Sequence, residues 1–284
     1  MSSHLPAPGA GPAVGSLSPS RASDFKTCPL LYRFRSIDKL PRRPSLDATR
    51  GTVVHAVLER LFDLPRERRT FEAAVALVEP EWQRLLAAAP EVAALFAADT
   101  DGAELAGWLA SARDLVANYF TLEDPRRIEP AAREELVETL LDGGLLLRGY
   151  VDRLDVAPGG EIRVVDYKTG GAPREAVEAK ALFQMKFYAL MLWRTRGVVP
   201  RMLRLMYLKD SEVLTYTPDG EELRRFERTL RAIWAAIARA RQTGDFRPSP
   251  SKLCGWCDHQ ELCPAFGGTP PPYPLVETVA GPAE

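Results

Sequence analysis

The sequence is short of every feature that marks an exported or membrane-borne protein. Cysteine occurs only four times in 284 residues. That is too few for a disulfide-stapled scaffold, and even two disulfides would be unusual in a reducing compartment. No apolar run approaches the roughly 20 residues that a membrane-spanning helix needs. The N-terminus has no basic segment followed by an apolar core, so no export signal is expected; the chain should work in the cytoplasm, with no membrane partner. Charge of one sign is missing too. The 37 basic and 38 acidic residues leave a formal net charge of −1, so any pull on a polyanion must come from a local patch. There is no internal repeat, and no G-x-x-x-x-G-K-[ST] phosphate loop, which excludes a nucleotide-driven motor of that class.

With 46% hydrophobic residues, the chain can bury one sizeable core. Residues 1–16, rich in Pro, Gly, Ala and Ser, and the Pro-rich residues 268–284 read as disordered tails. Residues 17–267 between them read as one domain. Ser18 and Pro19 suit the N-cap and first position of a helix running to about Phe34. A second helix is expected from Arg50 to Phe62, and an Ala-, Leu- and Glu-rich helical insertion over 70–121, so that 50–128 is the helical part. Strands are expected at 132–141, 144–156 and 161–168, then a helix at 174–196, one or two strands over 202–217 and a long Arg-rich helix at 219–243. This order predicts an α/β fold: a core over 132–243 with a mixed central sheet, wrapped by helices from both ends.

The densest chemistry lies in GYVDRLDVAPGGEIRVVDYKTG, residues 149–170. β-Branched and aromatic residues flank Pro158, Gly159 and Gly160, which reads as two strands joined by a tight turn. Side chains alternate across a strand, so Asp166 and Lys168 face one way and Tyr167 the other. Ile162, Val164 and Val165 make an apolar, mostly buried strand body. Carboxylates of Asp152 and Asp166 and a lysine buried at the end of such strands are costly unless they pair or hold a metal. That is the equipment for binding a divalent cation and attacking a phosphodiester. An Asp-x-Lys triplet alone would read as a surface ion pair; the wider pattern changes the balance.

Cys254, Cys257 and Cys263 form C-x2-C-x5-C followed by Pro264, whereas Cys28 lies near the opposite end of the chain. Three cysteines within ten residues are poor candidates for spectators. Zinc and an iron–sulfur cluster both accept four thiolates, and spacing alone leaves the two open.

The hairpin resembles the active-site hairpin of the PD-(D/E)XK nucleases, specifically the RecB-like exonuclease branch. There the first strand carries G-x-x-D-R-x-D and the second ends in V-D-Y-K-T-G, both present here. The N-terminal S-x-S-R-x-x-x-F-x-x-C-P, carried by Ser18, Ser20, Arg21, Phe25, Cys28 and Pro29, resembles the iron–sulfur members of that branch when joined to the C-terminal cysteines. Those members include the AddB nuclease domain and the CRISPR-associated adaptation nucleases. The resemblance implies a restriction-endonuclease-like core whose C-terminal iron–sulfur segment, residues 250–267, closes with Cys28. A [4Fe–4S] cluster on Cys28, Cys254, Cys257 and Cys263 would clamp the two ends together, removing unfolded-state entropy from a long loop.

It also implies roles for single residues. His55, in GTVVHAVLE, matches an imidazole presented to the metal, with Gly51 allowing close backbone approach. Gln184 and Tyr188, four apart on one helix face, match a Q-x-x-x-Y motif that steadies the lysine or the DNA backbone. His55, Asp152, Asp166 and the carbonyl of Tyr167 would hold Mg²⁺ or Mn²⁺, since hard oxygen ligands suit these ions and one imidazole favours tolerance of Mn²⁺. Lys168 would orient or deprotonate the attacking water. Glu134 or Glu135 could assist a second ion or only cap a strand. His259 reads as a loop residue.

The expected activity is a metal-dependent DNA exonuclease acting on single strands or ends in repair or recombination. Unwinding would be left to a helicase or another repair protein. The alternative is a non-catalytic DNA-binding or assembly module, against which the intact His55, Asp152, Asp166 and Lys168 argue. Arg21, Arg33, Arg35 and Arg50, together with Arg42 and Arg43, lack balancing acids in sequence and could track a phosphate backbone, with Tyr32 and Phe34 available for base stacking. Arg224, Arg225, Arg228 and Arg231 alternate with glutamates and read as a solvated, salt-bridged face.

Overall fold

The structure is a computed structural model that describes residues 15–172 and 178–273. The tail expectations over 1–14 and 274–284, His4, and the first residues of the helix expected from 174 lie outside the described residues. The chain divides into two compact units. One comprises residues 43–138 and 149–226, the other residues 1–42, 139–148 and 227–284.

In the N- and C-terminal unit, β1 (Ser16–Leu17) pairs in parallel with Leu146 and Leu147, so Ser16, the last residue of the expected tail, belongs to the sheet. The Ser18 hydroxyl accepts the Arg21 amide, and Pro19 opens α1 (Pro19–Thr27) as expected. The helix does not run on to Phe34. Cys28 is extended, and α2 (Pro29–Tyr32) restarts at Pro29 before a wide helical turn over Arg33–Ile37. The residue before a proline is pushed out of the helical region, so Pro29 makes Cys28 a junction rather than a helix residue. At the other end, the Tyr273 hydroxyl donates to the Arg241 carbonyl at 3.0 Å, so the expected tail is held at least to that point.

The central unit carries the sheet and the helical insertion. α3 (Leu46–Leu61) starts four residues before Arg50 because the Ser45 hydroxyl caps it through the Ala48 amide. The insertion is α4 (Phe71–Ala76), α5 (Val78–Ala88) and α6 (Ala103–Leu122), with a 3₁₀ stretch from Pro90 to Phe96 between the last two. Its core is aromatic. Trp82 and Trp108 meet edge-on at 5.0 Å, Phe96 touches both rings, and Trp108 Nε1 donates to the Leu46 carbonyl, tying the insertion to α3. The apolar face of α3, with Val53, Val54, Val57, Leu58 and Leu61, packs into the same cluster as Val165 and Tyr167 of the sheet.

β2 (Ala132–Leu141), β3 (Leu145–Val156) and β4 (Ile162–Lys168) match the expected strands almost residue for residue. β3 and β4 are antiparallel, with Arg153 opposite Val165, which sets Asp152 at the level of Asp166. Their turn is closed by the Gly160 amide on the Ala157 carbonyl at 2.8 Å, and Gly160 has φ +89°, a conformation that suits glycine. α7 (Glu178–Arg196) returns the chain so that β5 (Met202–Tyr207) lies parallel to β4, with β6 (Glu212–Tyr216) antiparallel beyond it. The sheet is therefore mixed, and β4 is flanked by strands on both sides. α8 (Gly220–Thr243) follows, with Arg225 on Glu221 and Arg231 on Glu227, the salt-bridged face expected of it.

Candidate active site

The end of β4 gathers the chemistry of the central unit. Asp152 on β3 is largely buried, and its Oδ2 accepts the Tyr167 amide at 2.7 Å. Asp166 is 4% exposed; its Oδ1 accepts Gln184 Nε2 at 2.9 Å, and its Oδ2 lies 2.5 Å from Lys168 Nζ. The second N–H of the same Gln184 nitrogen reaches the Tyr188 hydroxyl at 3.0 Å. The Q-x-x-x-Y pair, implied to steady the lysine or the DNA, therefore orients Asp166, which in turn holds Lys168.

α3 brings His55 to the same place. Its approach is close: a Cβ on Gly51, one turn earlier, would lie 3.1 Å from Thr169 Oγ1. His55 Nε2 is 2.9 Å from the Tyr167 carbonyl, and Nδ1 is 3.5 Å from Asp152 and 3.8 Å from Glu134. With Nε2–H donating to that carbonyl, a neutral ring turns its Nδ1 lone pair toward the two carboxylates. The carbonyl of Tyr167, expected on the metal, is thus engaged by the imidazole and has one further lone pair for an ion.

Glu134 is the addition. Among the described residues, His55, Glu134 and Asp152 are the trio of potential ligands whose donor atoms all lie within 4.8 Å of one another. Glu134 sits in β2 with φ +45°, a left-handed conformation that costs a non-glycine residue about 1–2 kcal/mol. Such departures persist where the surrounding structure holds them, and they gather at functional sites. The sequence offered Glu134 and Glu135 without distinguishing them; no residue type signals the backbone reversal.

The electrostatics are those of a cation site. Burial acts to lower the His55 pKa, but a hydrogen bond that the protonated ring donates to Glu134 and the charges of Asp152 and Asp166 outweigh it and push it up to about 9. Burial, then the charge of Asp166, push Asp152 up to about 7. Burial also acts against the Lys168 ammonium, yet Asp166 overcomes it and holds that pKa above the usual lysine value. The buried Oδ2 of Asp166 has no hydrogen bond among the described residues beyond its ion pair with Lys168. Clustered carboxylates, an imidazole and a buried carboxylate oxygen paired with a lysine fit a hard divalent ion. Beside them opens a cavity of about 430 Å³ lined by Gly51, Thr52, His55, Ala56, Glu59 and Glu134.

A sequence profile of the PD-(D/E)XK nuclease superfamily matches residues 16–264. The chain belongs to that superfamily. Two relatives in mycobacterial viruses extend over almost their whole length: the Gene 69 proteins of Mycobacterium phage D29, 28% identical, and of Mycobacterium phage L5, 26% identical. Each alignment covers 88% of this chain and 96% of the relative. A crystal structure of a candidate exonuclease from Eubacterium rectale superposes with a TM-score of 0.58, covering 87% of this chain and 88% of that one. At 15% identity, this likeness speaks for the fold. The PD-(D/E)XK chain thus has the mixed α/β architecture of a nuclease, and DNA is the substrate that the superfamily implies.

Behind the PD-(D/E)XK strand lies a support that the D-R-x-D motif carried without explanation. Arg153 is 1% exposed and bridges Glu123, Asp155 and, at 2.7 Å, the Tyr167 hydroxyl. It fixes the strand segment whose backbone serves both Asp152 and His55.

In the N- and C-terminal unit, the four free thiols of Cys28, Cys254, Cys257 and Cys263 line one cavity of about 60 Å³. The Ser249 amide donates to Cys28 Sγ at 3.4 Å and the Ser251 amide to Cys254 Sγ at 3.3 Å. The arginines expected to meet DNA have partners within the chain. Arg33 pairs with Asp38 at 3.0 Å and Arg35 with Asp24 at 2.8 Å; in the central unit Arg50 pairs with Asp47 at 2.5 Å, while Arg21 bonds the Ser16 hydroxyl at 2.7 Å. For Arg33, Arg35 and Arg50 the premise that this set lacks balancing acids does not hold, because the helix turns bring the acids alongside.

Proposed function

We propose that this PD-(D/E)XK protein is a Mg²⁺- or Mn²⁺-dependent DNA exonuclease that trims single strands or ends in repair or recombination, beside a helicase or other repair partner. The observation that carries the reading is the single cluster in which His55, Glu134, Asp152, Asp166 and Lys168 meet at the end of β4. The description of the Eubacterium rectale neighbour as a candidate exonuclease agrees with it.

Glu134, Asp152, Asp166, His55 and the carbonyl of Tyr167 are the residues to hold the ion. A bound divalent ion supplies positive charge at the scissile phosphate and acidifies nearby water. The chain's own residues do the rest. The Tyr167 amide fixes Asp152, and Gln184 fixes Asp166. Lys168 keeps its proton beside Asp166, so it orients the attacking water and offsets negative charge growing on the phosphoryl oxygens, rather than acting as a base.

The proposal includes a [4Fe–4S] cluster on Cys28, Cys254, Cys257 and Cys263. Four thiols lining one cavity, with backbone amides already donating to two of the sulfurs, support it.

Two measurements test the reading. Anaerobically purified protein should degrade 5′- or 3′-labelled DNA only with Mg²⁺ or Mn²⁺, and Lys168→Ala should not. It should also contain iron and acid-labile sulfide in equal amounts. Cleavage that survives chelation sinks the catalytic reading; a colourless protein with stoichiometric zinc sinks the cluster.

A further inference from the structure

His259 stands between Cys257 and Cys263, and the catalytic reading gives it no task. Its side chain is not a loop ornament: the residue is 4% exposed, and its ring packs edge-on against Phe34, itself 2% exposed, at 5.5 Å. Phe34 lies six residues beyond Cys28, so the imidazole is gripped by the segment that supplies the remote thiol. His259 lines the same cavity as the four cysteines, yet its Nε2 is buried with no hydrogen-bond partner among the described residues. A buried ring nitrogen is rarely left unmatched, and the cavity it lines also holds four free thiols. One missing occupant would answer both.

We infer that His259 donates an Nε2–H hydrogen bond to the sulfur framework of the group held by the four cysteines, and so sets its reduction potential. The inference rests on the iron–sulfur reading above. His259 is a positioning residue and not a fifth ligand, since four thiolates complete the set. Hydrogen bonds to sulfur stabilise the more negative, reduced state, so losing one lowers the potential.

The test compares wild type, His259→Leu and His259→Gln, each purified anaerobically as the full chain. Iron and sulfide content is measured first, then the midpoint potential by dye-mediated titration. The Leu variant should keep its iron and show about a tenfold smaller equilibrium constant for one-electron reduction, about 59 mV lower. Gln, which can place an N–H near the same point, should recover at least half of that shift. An iron-replete Leu variant at the wild-type potential overturns the inference. If the Leu variant fails to fold, Gln and ¹⁵N-histidine-labelled wild type decide: a weak nitrogen coupling to the reduced cluster that disappears in Gln upholds it, and its absence in wild type overturns it. Wild type without iron and sulfide refutes the cluster itself, an outcome visible before any variant is made, and the inference goes with it.

Discussion

The carboxylate site and the cysteine cavity are built on opposite plans. In the first, every side chain already has a protein partner: His55 on the Tyr167 carbonyl, Asp152 on the Tyr167 amide, Asp166 between Gln184 and Lys168. Strands and a long helix set these positions, with Arg153 locked behind them. In the second, the thiols sit on a helix junction and on three short 3₁₀ turns between Lys252 and Phe266, and the support consists of two long N–H to sulfur bonds. Where a sheet supplies the geometry, a bound ion is an addition to a finished fold. Where turns supply it, the bound group is part of the structure.

The largest effect that sharpens this contrast is catalytic. Lys168→Ala should lower metal-dependent cleavage about a thousandfold while the far-ultraviolet spectrum and melting temperature stay close to wild type; a comparable loss of stability would blur the two plans. Next comes Cys257→Ala, which should remove iron and colour and open residues 244–273 to limited proteolysis. Chelating the divalent ion from wild type should leave that proteolytic pattern unchanged. Glu134→Gln should raise the Mg²⁺ concentration for half-maximal cleavage about tenfold, since a ligand charge is lost while its shape is kept; an unchanged requirement would remove Glu134 from the ion. Smaller still is the pH effect. With the His55 and Asp152 pKa values raised to about 9 and about 7, protonation favours the metal-free fold, and that stabilisation is lost as pH rises through those values. Ion binding must displace the same protons, so affinity for Mn²⁺, read by calorimetry, should strengthen from pH about 7 to about 9. Smallest is Arg50→Ala, which should cost less than about 1 kcal/mol because its partner Asp47 is exposed.

The parts of this architecture legible in sequence are those governed by short-range rules. β2, β3 and β4 stood out through β-branched runs and a Pro-Gly-Gly turn, and Asp166 and Lys168 through simple alternation. At Cys28 a local rule overrides the helical pattern, since Pro29 splits the expected helix in two. Two kinds of information were out of reach. Ion pairing across turns is tertiary, so Arg33 and Arg35 looked free when they were not. The turn-over of Glu134 depends on a backbone angle that its own side chain disfavours, and no propensity encodes it. Arg153 was visible within a motif, but its place beneath Tyr167 required the register of β3 on β4.

The reversed backbone at Glu134 implies a conflict between durability and turnover. Only glycine adopts φ +45° freely, so Glu134→Gly should lift the melting temperature by relaxing β2, even after allowing for the greater freedom of an unfolded glycine. The same change deletes a carboxylate from the ion's reach. A chain selected only to stay folded would favour glycine at this position, and a glutamate there fits the ion-binding role proposed for it.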